Sequence, residues 1–412
     1  MGAGRRWWIA VLTFSALLTQ LTVNMVRPAT TYKVDAMGGD ATLVGVVAGT
    51  YAVIPLICAM SVGRLIQRLP VLTGLMAAGL LVMALGAAAV ALSPAVSGLI
   101  GGTALLGFGQ LVFTIAGQSA VSRASAEDTV DSNFGWFTAG VSAGQMLGPL
   151  LAGVIIDMGP HSDAGTGIDP AIWAGAVAVA PGVAVLGLLA LRSSQTSATK
   201  RTAHGTGSED SITARHLLRR PRVGSYIISS AGLLALTDIL VAFVPLIGHE
   251  AGLSPTAVGV LLAVRGVGSL VSRLLLGILA ARYHRSTLLT CCLLVSAVCF
   301  AILPLTVAKL WTAAMLMLVG GFFLGLGQPL TMAMITRTVP EEWRSPALAL
   351  RLVGNRLGQV LIPLTAGAVA GPVGASGAIW LGTLLLMLSG LEESSRGSTG
   401  PTDITDPREP RP

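Results

Sequence analysis

Twelve mostly apolar runs follow one another along the chain, at 8–31, 43–63, 71–92, 97–121, 134–156, 170–191, 224–247, 256–280, 287–307, 311–336, 346–369 and 374–391. A helix of about 20 such residues crosses a bilayer, and a soluble core would need no such series. Only 11% of the residues are charged, where a soluble globular chain carries about 25%. Glycine supplies 51 of 412 residues. Small residues let helix backbones approach where lipid provides no hydrophobic drive between helices. The fold class is therefore all-α integral membrane, with twelve transmembrane helices.

The start, MGAGRRWWIAVLTFSALLTQL, has an apolar run too long for a secretory signal and no small-residue cleavage site after it. It reads as the first span, with Arg5 and Arg6 anchoring a cytoplasmic end. With both termini in the cytoplasm, the loops after spans 2, 4, 6, 8 and 10 carry Arg64, Arg68, Arg123, Arg192, Lys200, Arg201, Arg215, Arg219, Arg220, Arg222, Arg282, Arg285, Arg337 and Arg344, while the opposite loops keep Lys33 and Lys309. That asymmetry satisfies the positive-inside rule. It accounts for the net charge of +7 as topology, with no nucleic-acid partner implied. The expected location is a cell (inner or plasma) membrane, multi-pass. Cys58, Cys291, Cys292 and Cys299 all fall inside spans, and none has metal-ligand spacing with a histidine. No metal and no cofactor are expected.

The series divides in two. Residues 192–223 are Ser/Thr/Gly-rich and polar, the composition of a flexible linker. Residues 1–191 then form an N-terminal six-helix half and 224–395 a C-terminal one, and the Pro-rich tail 396–412 reads as disordered. The halves are related. AGVSAGQMLGPLLAG (139–153) aligns without a gap with VGNRLGQVLIPLTAG (353–367), at a shift of 214 positions. VGVVAGTYAVIPLICAMSVGRLIQR (44–68) aligns with 258–282 at the same shift, and Arg123 and Glu127 match Arg337 and Glu341. LLGFGQ (105–110) also resembles FLGLGQ (323–328), but at a shift of 218, which is either a slip of about one turn or chance. A duplicated six-span unit explains the constant shift. Parallel repeats of this kind place a substrate site between them, near the bilayer midplane.

These residues resemble the major facilitator superfamily over essentially the whole chain. The family's loop signature after span 2 runs Gly, three residues, Asp, Arg, one residue, Gly, Arg. Here Gly63 and Arg68 fit, with Gln67 in place of the acid and Val71 of the last basic residue; the second half keeps Gly277, Arg282 and Arg285, with Ala281 for the acid. The glycine ladder of family antiporters on span 5 is matched by Gly140, Gly144, Gly148, Pro149 and Gly153, which tilts the direction toward export in exchange for protons. The resemblance implies gating roles for Gly63, Arg68, Gly144, Gly148, Pro149, Gly277, Arg282 and Arg285. The plain reading of the ladder is packing: a spacing of four sets small residues on one helix face. Where drug exporters of the family carry an arginine on span 4, this chain has Thr103, Gln110, Thr114 and Gln118. Spans 1, 4, 7 and 10 line the cavity in the family, which brings Gln110, Gln118 and Gln328 among the candidate substrate residues.

Five arginines fall within spans: Arg27, Arg265, Arg273, Arg351 and Arg356. Each costs at least ~2.5–3.5 kcal/mol at the bilayer centre if it faces lipid, so most must face a wet cavity or a partner. Gln20, Asn24, Arg27 and Thr31 form one helical stripe on span 1. Arg265, Ser269 and Arg273 form another on span 8. Arg351, Asn355 and Gln359 form a third on span 11, with Arg356 beside it. Asp238 on span 7, at the repeat position of Asn24, is the one carboxylate placed deep in the membrane, and is the candidate proton carrier. Arg273 and Arg351 lie near span ends, where they can snorkel or pair locally. Tyr51 and Trp136 read as packing or interface residues, and Asp35, His249 and Glu250 as solvated residues of the outer mouth.

No Walker-type segment is present, and the histidines His161, His204, His216, His249 and His284 lie mostly in loops, without a nucleophile or metal constellation. A primary pump and a membrane enzyme are both disfavoured. The expected function is secondary transport of a small organic molecule by alternating access, proton-coupled and tilted toward export, by a monomer in the lipid bilayer. The arginines point to an anionic or zwitterionic substrate. A multidrug exporter, an uptake permease and a non-transporting receptor of the same fold are the alternatives.

Overall fold

The computed structural model describes residues 3–125, 129–159, 167–194, 222–340 and 343–397. The interior of the expected linker, the expected tail beyond 397, Glu127, Glu341, His161, His204 and His216 lie outside the described residues. The described residues form helices without strands. The first half holds α1 (Ala3–Ala36), α2 (Ala41–Arg68), α3 (Thr73–Leu92), α4 (Val96–Ala124), α5 (Val130–Asp157), α6 (Ile168–Ala178) and α7 (Ala180–Ser194). The second holds α8 (Val223–Glu250), α9 (Pro255–Arg282), α10 (Arg285–Thr306), α11 (Leu310–Thr338), α12 (Arg344–Val373) and α13 (Ala375–Gly397). Together α6 and α7 make the sixth span, interrupted just before Pro181, whose ring and missing N–H break a helical ladder. Eleven spans are long and apolar enough to cross a membrane among the described residues. The twelfth, α12, carries Arg344, Arg351 and Arg356.

The repeat is written into the helix ends. Both ends of α2 and α9, and of α4 and α11, lie 214 residues apart. Even the caps correspond: Asp40 accepts from the Leu43 N–H at 2.9 Å, and its counterpart Ser254 accepts from the Ala257 N–H at 3.2 Å, each satisfying an N-terminal donor. Gly107 packs on the Tyr51 carbonyl and Gly321 on the Arg265 carbonyl, again 214 apart. The α4–α11 register is therefore 214, and the likeness of LLGFGQ to FLGLGQ is not a structural equivalence.

Two seams join the halves, α2 against α12 and α9 against α5. A Cβ on Gly45 would lie 2.6 Å from the Pro363 carbonyl, and one on Gly259 2.5 Å from the Pro149 carbonyl. These pairs are also repeat equivalents. Gly153 abuts the Pro255 carbonyl, and Asp157 at the end of α5 accepts from the Thr256 N–H at 2.9 Å. All of these contacts gather where α1 and α8 end and α2 and α9 begin. That end carries Asp35, Asp40, Asp157, Asp169 and Glu250, and is called the acidic end below. Gly63 and Gly277 lie 18 residues further along α2 and α9, five turns on and so on the same faces, and neither meets anything within 4 Å. Among the described residues the halves are seamed at the acidic end, while Gly63 and Gly277 face open space toward the arginine-rich end.

Candidate functional site

The five membrane arginines divide into two groups. Arg27 on α1 forms an ion pair with Asp238 on α8, with side chains 9% and 7% exposed. The other carboxylate oxygen, Oδ2, accepts from Gln359 Nε2 of α12 at 2.7 Å. Gln359 Oε1 in turn accepts from Arg356 Nη1 at 3.0 Å. The Arg27 guanidinium sits 4.5 Å over the Tyr51 ring of α2, within cation–π range. One chain of contacts, Tyr51–Arg27–Asp238–Gln359–Arg356, thus runs from the first half into the second. Arg265, 5% exposed, lies within electrostatic range of Asp238, Arg27 and Arg273.

The second group is held by neutral partners. Arg351 donates from Nε to Ser230 Oγ at 2.9 Å, and from Nη2 to Gln328 Oε1 at 2.7 Å. Gln328 Nε2 donates to the Ser230 carbonyl at 2.7 Å, so Gln328 is tied within the second half. Arg273 donates to Ser142 Oγ of α5 at 3.1 Å, across the other seam. Neither arginine needs to snorkel, because a polar side chain on a neighbouring helix meets it. Lys33 likewise turns inward to Asp169 (2.7 Å) and the Ala91 carbonyl (2.6 Å).

The span-1 stripe is buried throughout. Asn24 donates to the Gln20 carbonyl at 2.8 Å, and Thr31 donates to the Ala242 carbonyl of α8 at 3.0 Å. Asn355 is 4% exposed, whereas Gln118 is exposed. Gly140, Gly144 and Gly148 seat α5 on α1 against Thr13, Leu17 and Asn24, which is the packing role their spacing predicts. Gly63 and Gly277 meet no described residue within 4 Å, Arg68 and Arg282 are exposed, and Arg285 is half-buried.

Several buried polar atoms have no hydrogen-bond partner among the described residues: Arg27 Nη2, Arg265 Nε, Arg356 Nε, Asn355 Oδ1 and Gln110 Oε1. Three guanidinium groups share one carboxylate, so the centre is strongly cationic. A cavity beside Arg27, lined also by Thr30, Thr31, Thr103 and Ala242, holds about 20 Å³, room for one water and too small for an organic solute.

Tyr51 is the member that sequence reading missed. Its signal was the repeat: residue 51 is the counterpart of Arg265 at the shift of 214. The charged members sit mostly in the second half, opposite neutral counterparts. Asp238 answers Asn24, Arg265 answers Tyr51, and Arg356 answers Ser142.

Known proteins agree with this architecture. The family model described as Major Facilitator Superfamily matches residues 12–247 and 228–392. The fold is similar to the nucleoside transporter NupG, at 12% identity and a TM-score of 0.75 over 94% of this chain and 98% of that one. It is similar to a D-xylose–proton symporter, at 14% identity and a TM-score of 0.70 over 93% and 97%. A bacterial homologue of the human lysosomal transporter Spinster, in an inward-facing and unoccupied conformation, is 13% identical with a TM-score of 0.69 over 97% and 96%. At such identities these likenesses concern the fold alone. No curated protein matches the chain in sequence. Two seamed six-helix halves, a polar centre between them and the family match over nearly the whole chain lead to one conclusion: the chain belongs to the Major Facilitator Superfamily of membrane transporters.

Proposed function

We propose that this protein is a proton-linked secondary transporter of a small organic anion, with the arginine-rich end in the cytoplasm and the present conformation facing inward. The observation that carries the reading is the cross-half network centred on Asp238, with unpartnered guanidinium nitrogens on Arg27, Arg265 and Arg356. A buried cation without a partner is costly, and arginine presents a planar fork suited to carboxylate or phosphate. A substrate anion takes up the free N–H groups of Arg265 and Arg356 and competes with Asp238 for Arg27. Protonation of Asp238 removes its charge and loosens the bond between α1 and α8, so that proton and substrate act on the same link between the halves. Alternating access follows: the seams at Gly45 and Gly259 open as the faces at Gly63 and Gly277 close.

The test is flux in proteoliposomes. Asp238→Asn should abolish transport driven by a pH gradient while substrate exchange at equilibrium persists. Gradient-driven flux at the wild-type rate would remove Asp238 from the coupling. Candidate anions for the assay come from comparing intracellular metabolites in deletion and overexpression strains, which also reads the direction of transport.

A further inference from the structure

The two halves finish their second helices differently. In the first half, Arg123 of α4 donates to the carbonyls of Leu69 (2.7 Å) and Ile66 (2.8 Å), clamping the end of α2. The counterpart of Arg123 is Arg337 on α11, and the counterparts of Ile66 and Leu69 are Ala280 and Tyr283. No such clamp forms there among the described residues. An open surface concavity of about 470 Å³ lies there instead, walled by Arg282, Tyr283, His284, Arg285, Ser286 and Arg337. The side chains of Arg282, His284, Arg285 and Arg337 make no hydrogen bond or ion pair among the described residues, so four basic groups line one concavity. His284 and Arg285 are additions of the second half, where the first has Pro70 and Val71. The Glu393 carboxylate, which meets Ser286 of the wall, is 2% exposed and accepts from Ser286 Oγ at 2.7 Å. The cavity also meets the start of α10, a helix of 22 residues whose N-cap, His284, makes no side-chain cap bond. The first-turn N–H groups there favour an anion.

We propose that this cavity binds a phosphate-bearing anion, from an anionic lipid headgroup or from a free phosphate, and that the anion ties α9 to α11 as Arg123 ties α2 to α4. Arginine pairs with phosphate oxygens through two parallel N–H bonds. Basic pockets between helices at the cytoplasmic face are placed to meet anionic headgroups.

The full-length protein in neutral detergent is titrated at constant ionic strength with inorganic phosphate, short-chain phosphatidylglycerol, short-chain phosphatidylcholine and chloride. Native mass spectrometry and thermal unfolding supply the readouts. Saturable binding of phosphate, phosphatidylglycerol or both, above chloride and phosphatidylcholine, is expected. Binding of phosphatidylglycerol alone assigns the headgroup; binding of inorganic phosphate, alone or with the lipid, shows that a free phosphate suffices. Arg337→Gln and Arg285→Gln should each weaken binding by about tenfold, the loss of one charge-assisted contact. Arg64→Gln, at the same end of the other half, should leave it unchanged. No selectivity over chloride and phosphatidylcholine overturns the proposal, as does binding that survives both substitutions. Binding lost with Arg356→Gln but kept with Arg337→Gln belongs to the central site and overturns it too.

Discussion

Arg27 is held from three sides: by the charge of Asp238, by the face of Tyr51 and by the helix that carries it. Removing one partner of such a buried pair costs ~3–5 kcal/mol, because a charge is left uncompensated. Asp238→Asn should therefore lower stability in a denaturant or thermal assay, and the double change Arg27→Gln with Asp238→Asn should recover most of the loss. A double variant as unstable as the single one would show that the pair is not the reason. Tyr51→Phe should be tolerated, since the ring face remains, whereas Tyr51→Leu should weaken the centre by about 0.5–2 kcal/mol. Arg356→Lys and Arg265→Lys should weaken an anionic substrate while keeping the charge. Truncating either should cost more, roughly 2–5 kcal/mol in binding. Equal affinity in all of these variants would favour a neutral, lipophilic substrate. At this scale the sequence showed which residues were polar in the wrong place for lipid, and helical periodicity placed Gln20, Asn24, Arg27 and Thr31 on one face. It could not show that Gln328 spends itself on Arg351 and Ser230, because rotamers and neighbours decide that. Tyr51 was hidden because an aromatic ring in a membrane helix looks like any packing residue.

Among elements, the proposed cycle makes the seams the moving parts, and glycine at Gly45 and Gly259 is what allows their close approach. A side chain at Gly259 cannot fit beside the Pro149 carbonyl 2.5 Å from its Cβ position. Gly259→Val should hold the acidic end open. A cysteine at position 34, now 1% exposed, should then react faster with an impermeant maleimide added from that side. Unchanged labelling with normal flux would mean that the halves close along another line. The constant shift of 214 made the repeat of α2 in α9 and of α5 in α12 readable in the sequence, while the equivalent caps and the pairing of Gly107 with Gly321 came only with the structure. The LLGFGQ likeness shows the limit of that reading: similar letters one turn out of step carry no shared geometry, and the helix ends together with the contact of Gly321 with Arg265 fix the register. Nor did the apolar run at 170–191 reveal its break, because Pro181 interrupts a helix without making the segment any less apolar.

For the whole molecule, orientation is the property on which the direction of transport rests. A cysteine placed in the 192–223 linker should react with an impermeant reagent only after the cytoplasmic face is exposed. Labelling of intact cells would turn the molecule over and make the present conformation outward-facing. Asp35 and His249 close the acidic end through a contact of 2.6 Å, with the histidine 62% exposed. A pair so open to solvent is worth about 0–1 kcal/mol. It is a light catch, strongest when His249 is protonated, and the seams carry the weight of closure. These two residues are also counterparts, 214 positions apart. Two counterparts that touch must straddle the axis relating the halves, so a pairing of identical halves would there set aspartate on aspartate or histidine on histidine. The chain has replaced that meeting of like with like by a complementary one. Each half now carries, at a place where it would meet its own image, a mark that favours its sibling over a copy of itself.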